Sequence, residues 1–266
     1  MIPEVYLKQR NFDAVRDKML LEKNDERMPY ALMSDLEMPD ISVVVPVYNE
    51  GKSVGAVLRM LSEIDWGPID VEVVVVDDGS TDNSATEIAA FPFVKYIRHS
   101  KNEGKGAALK TGFRNSTGRV VVVQDSDMEY SPESILELAK PILLDEADVV
   151  FGSRFVGKYE GMSTSHLLGN RLLSLTARLL FDIPITDIMT GSKAFSREVV
   201  DSFDLQEAGF GVEVEMTTKS LKNGWRFCEV PIGYSYRTVG SSKIHFSDGI
   251  KSMFQLFTGV LQAIFD

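Results

Sequence analysis

Residues 119–131, Arg-Val-Val-Val-Val-Gln-Asp-Ser-Asp-Met-Glu-Tyr-Ser, run four valines straight into a carboxylate cluster. A continuous β-branched run of this length reads as a strand buried on both faces, as in parallel sheets. It ends in Asp125-Ser126-Asp127, with Glu129 two residues on. Three carboxylates at one strand end repel one another unless a cation sits among them. Hard oxygen donors of this kind suit Mg²⁺ or Mn²⁺, which usually also hold a substrate's phosphates. The same letters suit a solvated acidic turn. The position at the mouth of a buried strand favours the ligand site, because open α/β sheets bind ligands there.

Working outward, the same pattern repeats. Ile41–Val47 is a β-branched run closed by Tyr48-Asn49-Glu50, and Val71–Val76 is a second, closed by Asp77-Asp78-Gly79-Ser80. Val94–Arg98, Val120–Gln124 and Asp148–Gly152 are further strands. Between them lie helical patterns with Val54, Val57, Leu58 and Leu61, then near Asn83–Ala90, over Gly104–Arg114 and over Pro132–Leu144. Strands alternating with helices predict an α/β, Rossmann-like, mostly parallel sheet with helices on both faces. Beyond residue 152 the pattern loosens: a helix over Ser165–Phe181, another over Val212–Asn223, and short strands at Gly191–Phe195, Arg226–Pro231 and Gly233–Tyr236. Residues 1–40 form a charge-dense appendage, partly helical over Glu4–Leu21. Residues 41–246 form the main domain, and 247–266 an apolar or amphipathic C-terminal helix.

The chain has 266 residues, 44% hydrophobic and 25% charged, enough for a sizeable core. A net charge of −11 argues against a general nucleic-acid binder. Cys228 is the only cysteine, so no internal disulfide forms and a reducing cytoplasm is the natural compartment. The start lacks a secretory pattern, and no run reaches the ~18–20 apolar residues that span a bilayer. A protein that is soluble or bound at a membrane surface is expected.

Three further strand-end groups carry possible chemistry. In Val45-Pro46-Val47-Tyr48-Asn49-Glu50 the ring and the carboxylate suit a base and a ribose, or Asn49 is a simple cap. The Asp77/Asp78 pair suits a base edge or ribose hydroxyls. Asn102-Glu103-Gly104-Lys105-Gly106 lacks the Ser or Thr of a P-loop, and its small residues serve a ligand or tight packing equally well. Parallel strand ends carrying acidic or small residues fall on one edge of one sheet.

Taken in order, Val-Pro-Val-Tyr-Asn-Glu, Asp-Asp-Gly-Ser-Thr-Asp, Asn-Glu-Gly-Lys-Gly, Gln-Asp-Ser-Asp-Met-Glu and Phe-Gly-Ser-Arg-Phe resemble the family-two glycosyltransferases of the GT-A fold. The similarity is greatest to the dolichyl-phosphate mannose synthase and polyprenyl-phosphate glycosyltransferase branch, over about residues 41–252. The resemblance implies a GT-A domain with short antiparallel acceptor-side strands, a nucleotide-diphosphate sugar donor (GDP-mannose or a UDP-sugar) and Mg²⁺ or Mn²⁺. It implies that Pro46, Tyr48, Glu50, Asp77, Asp78, Asp125 and Ser126 hold the nucleotide. Asp125, Asp127 and Glu129 would hold the metal and diphosphate, with Asp127 central to catalysis. Glu129 stands where mannose synthases carry Gln, which leaves the donor sugar open. Arg237 and Lys243 match a mobile loop that closes over the diphosphate.

On the acceptor side the resemblance implies that Arg154, Arg171 and Ser174 grip a lipid phosphate. Leu168, Leu172, Leu175 and Leu179 fall on one stripe of the Ser165–Phe181 helix beside Arg171 and Arg178, which suits either a membrane interface or a core. A phosphate acceptor, already ionised, attacks without a base; a hydroxyl acceptor needs one, for which Asp187, Glu213 or Glu215 are candidates, Asp187 otherwise being structural and ordering the acceptor loop. The expected function is inverting sugar transfer to a polyprenyl or dolichyl phosphate, peripheral at the cytoplasmic membrane face. The alternatives are a GT-A transferase acting on a saccharide or small-molecule hydroxyl, and a non-catalytic membrane-associated binding module.

Overall fold

The computed structural model describes residues 38–156, 159–160, 164–181, 183–209, 211–222 and 224–235. The expected N-terminal helix, the loop cations Arg237 and Lys243 and the C-terminal apolar helix lie outside the described residues.

The valine-rich runs form β1 (Ile41–Val47), β2 (Val71–Asp77), β3 (Val94–Arg98), β4 (Val120–Val123) and β5 (Val149–Ser153). They alternate with α1 (Val54–Glu63), α2 (Ser84–Ala89), α3 (Lys105–Asn115) and α4 (Ile135–Leu143), the last entered through a 3₁₀ turn at Pro132–Ser134. Then follow β6 (Tyr159–Glu160), α5 (Thr164–Phe181), β7 (Lys193–Ser196), α6 (Arg197–Asp201), α7 (Val212–Lys222), β8 (Phe227–Pro231) and β9 (Tyr234–Ser235).

Seven strands make one sheet in the order β3-β2-β1-β4-β7-β5-β8, and β6 pairs with β9 separately. Only β7 opposes its neighbours, pairing antiparallel with both β4 and β5. The other strands run one way: β1 with β2 and β4, β2 with β3, and β5 with β8. Consequently the carboxyl ends of β1, β2, β4, β5 and β8 and the start of β7 share one edge.

Two apolar layers cover the sheet. Val43, Val45, Val73, Val75 and Val122 face α1 and α4, through Val54, Leu58, Leu61, Ile135 and Leu138. The alternate residues Val44, Val74, Val121 and Val123 face α3, α5 and α7, through Leu109, Phe113, Leu173, Ala177 and Met216. The period of two along each strand produces this division. Every residue of β1 is buried, and each of its valines and Ile41 is worth about 1.5–3 kcal/mol relative to exposure. None of the described helices is long and apolar enough to cross a membrane.

Candidate active site

At the shared edge, the residues closing β1 and β2 build one another's loops. Asn49 sits at φ 50, in the left-handed region where Asn is tolerated. It does not cap α1; its Oδ1 accepts from the Thr81 N–H at 2.8 Å, and its own N–H donates to Ser80 Oγ at 2.9 Å. Glu50 is buried and accepts from the Ser53 hydroxyl at 2.9 Å. Asp77 accepts from the Ser80 N–H at 2.8 Å and from the Tyr96 hydroxyl at 2.9 Å. Asp78 accepts from the N–H groups of Glu103 (2.9 Å) and Gly104 (2.7 Å), and His99 Nδ1 lies 2.8 Å from it. Both aspartates therefore organise loops, a role the residue types alone did not indicate. Ser126 likewise ties the end of β4 to β1, donating to the Pro46 carbonyl at 2.9 Å.

The small residues before α3 serve close packing. A Cβ on Gly104, which has φ +100°, would stand 2.4 Å from the Ala208 carbonyl oxygen. That carbonyl accepts from the N–H of Gly106 at 2.6 Å. This places Lys105, the first residue of α3, against the β4 end. Its Nζ lies 2.6 Å from Asp125 Oδ1 and 2.8 Å from Glu213 Oε1. The other oxygen of Glu213 takes Nζ of Lys193 at 2.5 Å. Lys193 is fully buried in β7, bonds the Thr190 carbonyl and lies over the Phe151 ring at 5.0 Å.

Charges alternate along this row: Lys193, Glu213, Lys105, Asp125. Burial alone would lower the Lys105 ammonium, but Asp125 and Glu213 outweigh it and hold it above its ordinary value. Burial would raise Glu213, but Lys105 and Lys193 keep its carboxylate well below the usual range. Burial pushes the Asp125 carboxyl up; Lys105 opposes this, while Asp127 and Glu213 add to it.

A second polar cluster centres on Arg154, just past β5. Its Nε reaches Asp187 Oδ2 at 2.6 Å and its Nη2 reaches Oδ1 at 2.7 Å, a bidentate pair buried on both sides. Glu229 on β8 fixes that aspartate: its Oε1 accepts from the N–H groups of Thr186 (2.9 Å) and Asp187 (3.0 Å). Ser174 on α5 accepts from the Ile188 N–H at 3.1 Å, ordering the same segment. The Arg154 and Arg171 guanidinium carbons lie 5.9 and 5.6 Å from the Phe155 ring centroid, and Tyr234 stacks against Arg154 at 5.4 Å.

A family model described as glycosyl transferase family 2 matches residues 42–203, more than half of the chain. The chain belongs to glycosyl transferase family 2. The chain is 32% identical over 216 residues to the undecaprenyl-phosphate mannosyltransferase of Micrococcus luteus, covering 77% of this chain and 87% of that one. It is 31% identical to the dolichol-phosphate mannosyltransferase of Pyrococcus furiosus, covering 77% of this chain and 59% of that longer protein. Glucosyl-3-phosphoglycerate synthase from Mycobacterium tuberculosis, solved with Mn²⁺, UDP and glucosyl-3-phosphoglycerate, shares the fold. Its TM-score is 0.65 at 24% identity, over 85% of this chain and 80% of that one.

In this glycosyltransferase the three acidic residues after β4 stand at the shared edge. Asp127 accepts from the Glu129 N–H at 3.1 Å, and Glu129 accepts from the Tyr234 hydroxyl at 3.3 Å. Among the described residues, no three His, Cys, Asp or Glu side chains converge into a metal cage. The donor set still fits Mg²⁺ or Mn²⁺ of the kind held by one or two carboxylates plus a ligand's phosphates. Asp125 and Asp127 are the residues that would hold such an ion, with Glu129 beside them. The candidate bases are engaged: Asp187 by Arg154, Glu213 by two lysines, and Glu215 by the N–H groups of Gln206 and Glu207, both at 2.8 Å.

Lys105, Lys193 and Glu229 were missed by sequence reasoning. Only the Gly-Lys-Gly spacing around Lys105 gave any signal. Gly191 is another silent participant. A Cβ there would stand 2.3 Å from Asp125 Oδ2 and 3.3 Å from Tyr130 Cε2. Gly191→Ala is therefore expected to displace the Asp125 carboxylate, cutting kcat/KM by about tenfold or more and costing about 1–3 kcal/mol of stability. Steady-state kinetics beside a melting curve check it; wild-type values for both would refute the contact.

Proposed function

We propose that this glycosyltransferase moves a hexose, with inversion, from a nucleotide-diphosphate sugar to a polyprenyl or dolichyl phosphate at the cytoplasmic face of a membrane. The observation that carries the reading is the acceptor side: two guanidinium groups share the Phe155 ring, and the carboxylate beside them is bound to Arg154 by both oxygens. A hydroxyl acceptor would need a base to take its proton. An ionised phosphate needs positive charge and orientation, which Arg154 and Arg171 supply. The names of the Micrococcus and Pyrococcus relatives support the same acceptor chemistry.

In this scheme the nucleoside lies at the shared edge by the ends of β1, β2 and β4, near Pro46, Tyr48 and Glu50. Asp125 and Asp127 face the diphosphate. A divalent ion bound there would neutralise the departing diphosphate. Arg237 and Lys243 complete that neutralisation from the C-terminal side. Arg154 and Arg171 hold the attacking phosphate, and Ser174 orders the segment behind them.

An exposed stripe on α5 supports a lipid-facing role. Leu172 and Leu175 are each 52% exposed and Leu179 75%, flanked by the exposed Arg171 and Arg178. Leucines beside cations suit an acyl and phosphate boundary.

Incubation with GDP-mannose, UDP-glucose or UDP-N-acetylglucosamine, Mg²⁺ or Mn²⁺ and a polyprenyl phosphate is expected to yield an organic-extractable sugar lipid with at least one donor. Because Arg171 is exposed, Arg171→Ala should leave the melting temperature unchanged while raising KM for the lipid phosphate about 10–100-fold, the worth of one charge-assisted contact. Transfer to a sugar hydroxyl alone, indifferent to Arg171, would sink the reading.

A further inference from the structure

Lys105 occupies an unusual place for a charged residue opening a helix. Its ammonium is nearly enclosed, with the side chain 13% exposed, and it bridges two carboxylates of different status. Glu213 is anchored from behind by Lys193, which is wholly buried and fixed by the Thr190 carbonyl and the Phe151 ring. Asp125, by contrast, follows β4 at the shared edge, its side chain 17% exposed. The row thus has a fixed end and a free end, and Lys105 is the joint between them.

Lys105 holds Asp125 Oδ1 at 2.6 Å, so a divalent ion on this carboxylate, even through Oδ2, would stand close to the ammonium and be repelled by it. A nucleoside diphosphate changes that balance, because its oxygens offer Lys105 and the ion separate anionic partners. Glu213 keeps Lys105 from leaving the site, so the movement required is a turn about that contact. We propose that Lys105 couples metal loading to nucleotide: it neutralises Asp125 in the nucleotide-free enzyme, excludes a lone divalent ion, and yields Asp125 only when a nucleoside diphosphate arrives. By linkage, metal and nucleotide then strengthen each other's binding by the same factor.

This rests on the donor half of the proposed function and not on the acceptor. The test is Mn²⁺ binding to the full-length protein, read from the electron paramagnetic resonance signal of the free ion, without nucleotide and with UDP or GDP. Wild type should bind Mn²⁺ weakly alone and about tenfold or more tightly with one of the two nucleotides. Lys105→Met should reverse the first property: nucleotide-free affinity for Mn²⁺ rises, nucleotide affinity falls, and the coupling factor drops toward one. Lys105→Arg, which keeps the charge, should retain weak lone-metal binding. Should the methionine variant fail to fold, Lys105→Gln removes the charge while keeping a polar NH₂ donor at the site, and the same rise is required of it. If wild type shows coupling but the neutral variants bind lone Mn²⁺ no better than wild type, the role of Lys105 is refuted and the donor site stands. If neither nucleotide affects Mn²⁺ binding to wild type, the donor-site reading fails, and this inference with it.

Discussion

Asp187→Asn is expected to lower kcat/KM for a polyprenyl phosphate by about 10³-fold and stability by about 3–5 kcal/mol, the scale of a broken buried ion pair. The carboxylate is fully buried and makes three contacts to one residue: Arg154 Nε at 2.6 Å, Nη2 at 2.7 Å and the Arg154 N–H at 3.1 Å. Asparagine offers one acceptor where two are used, and turns an NH₂ donor toward a guanidinium that has only donors. Arg154 then loses both its counter-charge and its orientation. A positioning role makes a further demand. Adding Arg154→Ala to Asp187→Asn should cost far less than the sum of the single changes, because both remove one unit. A general base would behave otherwise, with Asp187→Asn flattening the acid-side pH profile while Arg154→Ala left its shape intact. Near-wild-type transfer and melting temperature for Asp187→Asn would overturn the assignment.

The second large effect is expected at Glu213. Glu213→Ala leaves Lys193 as a buried ammonium with no anionic partner and should cost about 3–5 kcal/mol, on the order of 10 °C in melting temperature for a domain of this size. Adding Lys193→Met should recover much of that loss, since removing both partners of a buried pair is often close to neutral. Acid provides an independent check. The folded-state value of Glu213 lies below its ordinary 4.5, so its stabilisation is fully present above that pH and fades as the pH falls below it. The single variant should therefore lose its disadvantage relative to wild type in strong acid. An unchanged melting temperature for Glu213→Ala would show that the pair is not the anchor described.

Much of the fold was legible because its signals are local. The runs Ile41–Val47, Val71–Asp77 and Val120–Val123 announce doubly buried strands by composition alone, and the stripe Val54, Val57, Leu58, Leu61 announces a helix by spacing. β7 was harder. Lys-Ala-Phe-Ser carries a lysine in a strand whose every residue is buried, and nothing local reveals the glutamate that makes such burial tolerable. The pairing of β9 with β6 joins residues as far apart as Tyr159 and Tyr234, across the whole acceptor side.

The site divides along the same line. The sequence by itself determined which residues stand at one shared edge: parallel strands share a direction, so Pro46–Glu50, Asp77–Asp78 and Asp125–Glu129 must emerge together. Only the tertiary structure decided what each carboxylate does there. Asp77 and Asp78 turn to loop N–H groups, Asp187 to Arg154, Glu229 to the backbone of Thr186 and Asp187, and Asp125 to Lys105. The reason is physical. A carboxylate accepts from a cation or from a backbone N–H alike, so its role is fixed by which of these the distant parts of the chain bring within about 3 Å, a distance no local pattern encodes.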